Sequence, residues 1–335
     1  MKTLRGRFLT VVALLLVGVP VSAQTVKLGT VAPKGSPWYK MSRHMAEAWS
    51  AATDGKINVR IYPGGVAGDD PDMVRKMRVG QLHAAMLTGQ GLAEISTEIQ
   101  ALHMPLLLTS YKELDYVMER LTPQLESAFK AKGFKVLNWG EAGWVYLLTQ
   151  VPVVHPAELK PLRLFAWSSD SAFIEAWKDA GYNPVPLAVT EMLTGLQSGL
   201  INAFVAPPIA ALAFQWFGLA KHMTDLKWAP LVGATVISMK RWQQIPENLR
   251  PTLLQAARDA SARFKQEIRK VNEDSIEVMK KHGLVVHHVP ADVVGDWERG
   301  ARAGYTKLIG RVVSAQMVDE VERLRNEYRA SQKSK

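Results

Sequence analysis

The chain has no cysteine among its 335 residues, which excludes thiol catalysis and cysteine-ligated metal centres. Catalytic signatures are missing as well: there is no G-x-S-x-G, H-E-x-x-H or Walker sequence, and Gly89-Gln90-Gly91 lacks the spacing of a dinucleotide fingerprint. His287 and His288 are adjacent on an expected strand and point to opposite faces, so they do not share one metal ion. His83 and His103 read as strand-end or core histidines. No block of Lys and Arg is interleaved with aromatic residues, so nucleic acid is not an expected partner. Past the N-terminus no segment approaches 18 uncharged apolar residues, the length of a candidate membrane span. These absences leave no expected cofactor, no metal site and no enzyme, although an exported hydrolase using His83 or His103 as a base is the alternative to test.

What is present begins with a leader. Lys2, Arg5 and Arg7 precede the apolar run FLTVVALLLVGV, which ends in Val21-Ser22-Ala23, the pattern of a secretory signal spanning 1–23 and cleaved after Ala23. The expected location is therefore the periplasm. Without the leader's three cations the formal charge falls from +10 to +7, a moderate excess spread along the chain that suits solubility and mild attraction of anionic solutes. The remaining 312 residues exceed what one core usually organises, so two lobes are expected.

Short strand-like runs alternate with helical ones: TVKLGTVA, SPWYKMSRHMAEAWSAATDG, KINVRIYP, DPDMVRKMRVGQ and LHAAMLT. That rhythm predicts an α/β fold with helices over a mainly parallel sheet. Ser36 and Pro37 fit an N-cap and first helical position, and PGGVAGDDP at 63–71 is a turn that opens the next helix. A second alternation follows Gly143: WVYLLTQVPV, LRLFAW, SDSAFIEAWKDAG, YNPVPLA, TEMLTGLQSG and INAFVAP. Gly80-Gln81-Leu82-His83-Ala84 echoes Gly199-Leu200-Ile201-Asn202-Ala203, as expected of two similar lobes facing a cleft. From Pro246 to about Lys281 the chain is helix-prone for over 30 residues, long enough to run along both lobes. LVVHHVP is a strand, an amphipathic region spans 291–330, and SQKSK is expected to fray.

Two residue patterns suggest a site. Arg163 sits in the strand LRLFAW among apolar neighbours, where it is either internally paired or free to fork a carboxylate with two parallel hydrogen bonds. Among the ten tryptophans, Trp38, Trp144, Trp167 and Trp228 fall at expected element ends, the positions that line clefts in α/β folds, whereas Trp177 and Trp216 read as core-facing.

Nearly the whole chain after the leader resembles the substrate-binding subunits of tripartite ATP-independent periplasmic (TRAP) transporters, of the dicarboxylate type. The resemblance is carried by GTVAPKGSPWYK, DGKINVRIYPGGVAGDDPDMVRKMRVGQL, HMPLLLTSYKELDYVM, PAELKPLRLFAW and NPVPLAVTEMLTGLQSGLINAF. It implies a two-lobed periplasmic solute-binding fold with a cleft between the lobes and a long helix spanning both. Lobe I would hold 24–143 plus about 229–268, and lobe II 144–228 plus about 269–325. It further implies capture of a small carboxylate for integral membrane subunits that are driven by an ion gradient, with Arg163 matching the family's carboxylate-binding arginine.

The likeness breaks at several places. Val145 stands where the family often has a second arginine, Val205-Ala206 replaces a Glu-Asn pair, and Val31 and Val189 replace a polar and an aromatic residue. Thr88 and Gln90 remain as polar candidates on the first lobe. The expected pocket therefore has Arg163 as its one anchor, walls from Trp38, Trp144, Trp167, Trp228, Val145, Val189 and Ala206, and a ligand that is a monocarboxylate with an apolar or aromatic body. A four-carbon dicarboxylate, or the ligand of a sensor's capture protein, is the alternative.

Overall fold

The computed structural model describes residues 23–168 and 170–333, so the leader lies almost wholly outside the described residues. The first alternation consists of β1 (Gln24–Thr30), α1 (Pro37–Ala52), β2 (Ile57–Tyr62), α2 (Asp70–Arg78), β3 (Ala84–Leu87) and the short α3 (Gly89–Ala93). A 3-10 turn at Thr97–His103 leads into α4 (Tyr111–Ala131) and β4 (Phe134–Thr149). The second alternation is α5 (Pro156–Leu159), β5 (Arg163–Trp167), α6 (Ser171–Asp179), β6 (Asn183–Leu187), α7 (Met192–Gln197), β7 (Ala203–Ala206) and α8 (Pro208–Ala213). β8 (His222–Ser238) then returns to the first half, followed by α9 (Met239–Gln244), α10 (Arg250–Lys281), β9 (Val285–His288), α11 (Ala291–Leu308) and α12 (Ala315–Lys333).

Local chemistry sets several of these boundaries. Ser36 accepts the Tyr39 amide at 3.3 Å and Pro37 opens α1, as the sequence predicts. The helices α2 and α7 are each followed by a glycine at positive φ, Gly80 at 77° and Gly199 at 72°, which turns the chain into β3 and β7 respectively. The echo read in the sequence is thus a shared turn. α12 continues through Lys333, so the expected fraying at 331 is not seen within the described residues.

The strands form one sheet in the order β2-β1-β3-β8-β4-β7-β5-β6, with β9 also paired to β8. Each outer half is parallel, β1 with β2 and β3 on one side and β5 with β6 and β7 on the other. The long antiparallel pair β4 and β8 joins the halves, β3 adding to β8 and β7 to β4. Register shifts between Glu141 and Trp144, and between Val145 and Leu147, interrupt that pairing where it crosses from one half to the other.

α10, 32 residues long, packs against α1 of the first half, α8 of the second and β4 between them. Its apolar stripe, with Ala257, Phe264 and Ile268, joins Trp49 and Leu28 in a core under the first half. Trp49 donates its ring N–H to the Leu253 carbonyl at 2.8 Å. A second core under the other half holds Leu162, Leu164 and Trp297. Arg269 of α10 is forked between Asp115 of α4 (2.6 and 2.9 Å) and Glu141 of β4, tying the long helix to the crossing strand.

Candidate functional site

Between the halves lies a cavity of about 340 Å³. Its first-half wall comes from Val31 after β1, Trp38 of α1, Thr88 and Gln90 at the start of α3, and His103. The crossing strands provide the floor through Asn138, Glu141 and Val145 of β4 and Trp228 of β8. The second-half wall is aromatic. Trp177 stacks on Trp228 with centroids 6.0 Å apart, Trp297 meets Trp228 edge-on at 5.9 Å, and Tyr182 meets Trp177 edge-on at 4.8 Å. Phe165 and Trp167, 5.7 Å apart, extend that surface along β5, and Phe214 stacks on Trp216 at 4.7 Å.

The polar groups of the cavity are few and mostly committed. His103 is buried, and burial pushes its ring down to about 4, so it is neutral near pH 7. Its Nε2 accepts the Val232 amide at 3.3 Å, which puts the ring proton on Nδ1, 3.3 Å from the Gln100 side-chain oxygen. Gly89 makes room for this ring: a Cβ there would lie 1.8 Å from His103 Cε1. Glu141 lines the cavity with its charge held from behind by Arg269. Asp170 caps α6, accepting the Phe173 amide at 3.3 Å, and burial pushes its carboxyl up to about 6. Both ring nitrogens of His103 are thus engaged within the protein.

The halves also touch directly. Asp69, at the N-cap of α2, accepts the Val189 amide at 3.0 Å across the gap, and Gly65 abuts Thr190 so closely that a Cβ there would lie 2.8 Å from its methyl. The two halves are therefore in contact at this edge.

Eight of the ten sequence-proposed site residues come together on this cavity: Trp38, Thr88, Gln90, Val145, Trp167, Val189, Ala206 and Trp228. Two do not. Trp144 is fully buried beside Tyr111, 5.9 Å between ring centroids, because it alternates with Val145 along β4 and turns to the opposite side of the sheet. Arg163, the expected carboxylate anchor, is also absent from the lining. It begins β5, whereas the cavity lies toward the carboxyl end of that strand, where Phe165, Ala166 and Trp167 face it. Its Nε instead donates to the Gly199 carbonyl at 2.8 Å, and its exposed side chain ties β5 to the turn after α7.

Sequence reasoning missed Phe165, Tyr182 and Trp297; Trp177 and Trp216, read as core-facing, pack in or against the core and line the cavity as well. The expectation that the tryptophans mark element ends also needs correction, since Trp144 and Trp228 lie inside the two long strands.

The family model of the bacterial extracellular solute-binding protein, family 7, matches residues 28–310. The chain belongs to this family. Among curated solute-binding relatives, the 2,3-diketo-L-gulonate-binding periplasmic protein of Escherichia coli is 23% identical over 90% of this chain and 89% of its own length. The C4-dicarboxylate-binding periplasmic protein of Rhodobacter capsulatus is 23% identical over 89% and 91% respectively. The solved sugar acid binding protein of Advenella mimigardefordensis in complex with galactonate superposes with TM-score 0.85 at 20% identity, covering 91% of this chain and 99% of that one. A TRAP periplasmic solute binding protein from Sulfurospirillum deleyianum with bound succinate gives 0.84 at 20% identity, covering 90% and 99%. The two-lobed solute-binding fold expected from the sequence is therefore the fold of this family 7 protein.

Proposed function

We propose that this chain is the extracytoplasmic subunit of an ion-gradient-driven TRAP transporter, exported by cleavage after Ala23, which encloses a small organic molecule with an apolar or aromatic body and delivers it to integral membrane subunits. The observation that carries the reading is the aromatic cavity enclosed between two halves that meet through Asp69 and Val189. Its volume of about 340 Å³ is more than twice the ~150 Å³ of an engineered apolar cavity that binds benzene, so the site suits a solute larger than one ring. Burying ~150 Å² of apolar ligand surface contributes about 4 kcal/mol, enough to shift an open population toward the closed one. In this reading the halves are 24–143 with about 229–268 and 144–228 with about 269–325, except that α12 packs on α4 and so goes with the first. The apolar half of the expected monocarboxylate is supported by the Trp and Phe lining; its carboxylate half has lost Arg163, the anchor that suggested it.

The test is a thermal-shift screen of the protein beginning at Gln24 against mono- and dicarboxylates, sugars, sugar acids, amino acids and apolar aromatic solutes, repeated with Trp177→Ala. A ligand at 100 times its Kd adds about 2.7 kcal/mol of apparent stability. Stabilisation by a solute with an apolar body, lost in Trp177→Ala, is the expected result. Succinate or sialic acid binding tightest would overturn it, and mass-spectrometric detection of turnover would favour an enzyme instead.

A further inference from the structure

The cavity contains no Lys or Arg among its described lining residues, and its one histidine is buried and already accepts a backbone amide. Nothing cationic faces a ligand there. A carboxylate taken out of water without a cation costs several kcal/mol, so the site disfavours the charge that its apolar surface would otherwise accommodate. The carboxylate and the free amide oxygen in the lining are acceptors. Asp170 lines the cavity, forms no ion pair among the described residues, and has Glu94 as the neighbouring charge that bears on it. Asn138, also in the lining, donates its amide to the Ala257 carbonyl at 3.0 Å and leaves its buried Oδ1 without a partner. Glu141 is occupied by Arg269 behind the wall.

Resting on the solute-capture reading, we propose that this cleft takes a ligand with an aromatic or aliphatic body that carries an N–H or O–H donor, an amine or an alcohol, and that it discriminates against the corresponding carboxylate, with Asp170 receiving the donor. The carboxyl caps α6, the helix that carries Trp177 of the Trp177–Trp228 stack, so one molecule can lay its body on the rings and turn its donor to Asp170. A protonated amine gains the most from this arrangement. It brings the cation that the lining lacks, and rings such as Trp177 and Trp228 attract a desolvated cation through their faces. Burial holds the Asp170 carboxyl near 6, so the amine-binding form is the one that prevails above that pH.

Isothermal titration at pH 7.5 with two matched series separates the possibilities: phenethylamine, phenethyl alcohol and phenylacetate; and hexylamine, hexanol and hexanoate. The expected order is amine, alcohol, carboxylate, with at least tenfold between the ends. Asp170→Asn, which keeps an N-cap for α6, lowers amine affinity tenfold or more and leaves the alcohol within about threefold. Amine binding to the unmodified protein weakens between pH 7.5 and pH 5.5, while alcohol binding does not. If the carboxylates bind tightest, or Asp170→Asn leaves the amine unaffected, the donor assignment is wrong while apolar capture stands. If no member of either series binds but succinate or a sugar acid does, the apolar reading of the cleft fails with it.

Discussion

Val189 donates its backbone N–H to the Asp69 carboxylate at 3.0 Å, joining two segments 120 residues apart across the gap between the halves. The same carboxylate caps α2 through the Asp70 amide at 2.8 Å. Its Oδ2 belongs to closure and its Oδ1 to the helix.

Asp69→Ala removes both roles, and Asp69→Ser keeps a cap for α2 with a side chain too short to reach Val189. Both variants are expected to bind ligand about tenfold more weakly, because closure loses a hydrogen bond to a charged group. Only Asp69→Ala should also lose the ~1 kcal/mol of a helix cap. Titration calorimetry gives the affinity, and small-angle scattering of the unliganded protein should show a larger radius of gyration in both. Unchanged scattering and affinity would remove Asp69 from closure.

Arg163→Ala is expected to leave ligand affinity within twofold and to lower stability by less than about 1 kcal/mol, since an exposed guanidinium loses one bond to the Gly199 carbonyl. Loss of binding in this variant, with unfolding by urea unchanged, would return Arg163 to the site.

Arg269→Met strands the buried Glu141 carboxylate without its cation, whereas the half-buried Asp115 keeps Lys265 at 2.6 Å. Breaking one partner of such a pair costs about 3–5 kcal/mol, and adding Glu141→Gln should recover part of it. Urea midpoints of the single and double variants measure this coupling. Additive losses would mean that the two groups act independently.

The pH dependence of stability should carry the mark of Asp70, wholly buried beside Thr88 and pushed up to about 7 by burial. Between the unfolded value near 4 and this one, the folded protein holds a proton that the unfolded chain has released, so stability falls as pH rises. Relative to Asp70→Asn, the unmodified protein should lose about 2 kcal/mol between pH 5.5 and pH 8. His103, whose value is lowered, loses stability as pH falls below its unfolded value, but it does so in both proteins and cancels in the comparison. Parallel pH curves would show that Asp70 is ionised throughout.

The alternation of strands and helices was legible because each segment carries its own period, and caps such as Ser36 mark their own boundaries. The crossing pair was not. β8 contains Pro230 and Gly233, which argue locally against a long strand, and only its pairing with β4 over both halves makes it one. The same pairing decides the site. Register shifts on either side of Trp144 and Val145 set which of the two faces the cavity, and no local pattern shows where those shifts fall. The place of Arg163 was not legible because a strand has direction as well as faces: Phe165 lies two residues further along, on the same face, and lines the cavity where Arg163 does not. Trp177, Trp228 and Trp297 converge from positions 120 residues apart in the chain, so their cluster has no sequence signature.

α10 touches α1 in one half and α8 in the other, and at 1.5 Å per residue its 32 residues make a beam about 48 Å long. A beam fastened at both ends converts a small change of angle inside the cleft into a larger displacement at the outer rims. A membrane partner resting on both rims would therefore sense whether the protein is loaded from the spacing of its footholds, and would need no contact with the cargo itself.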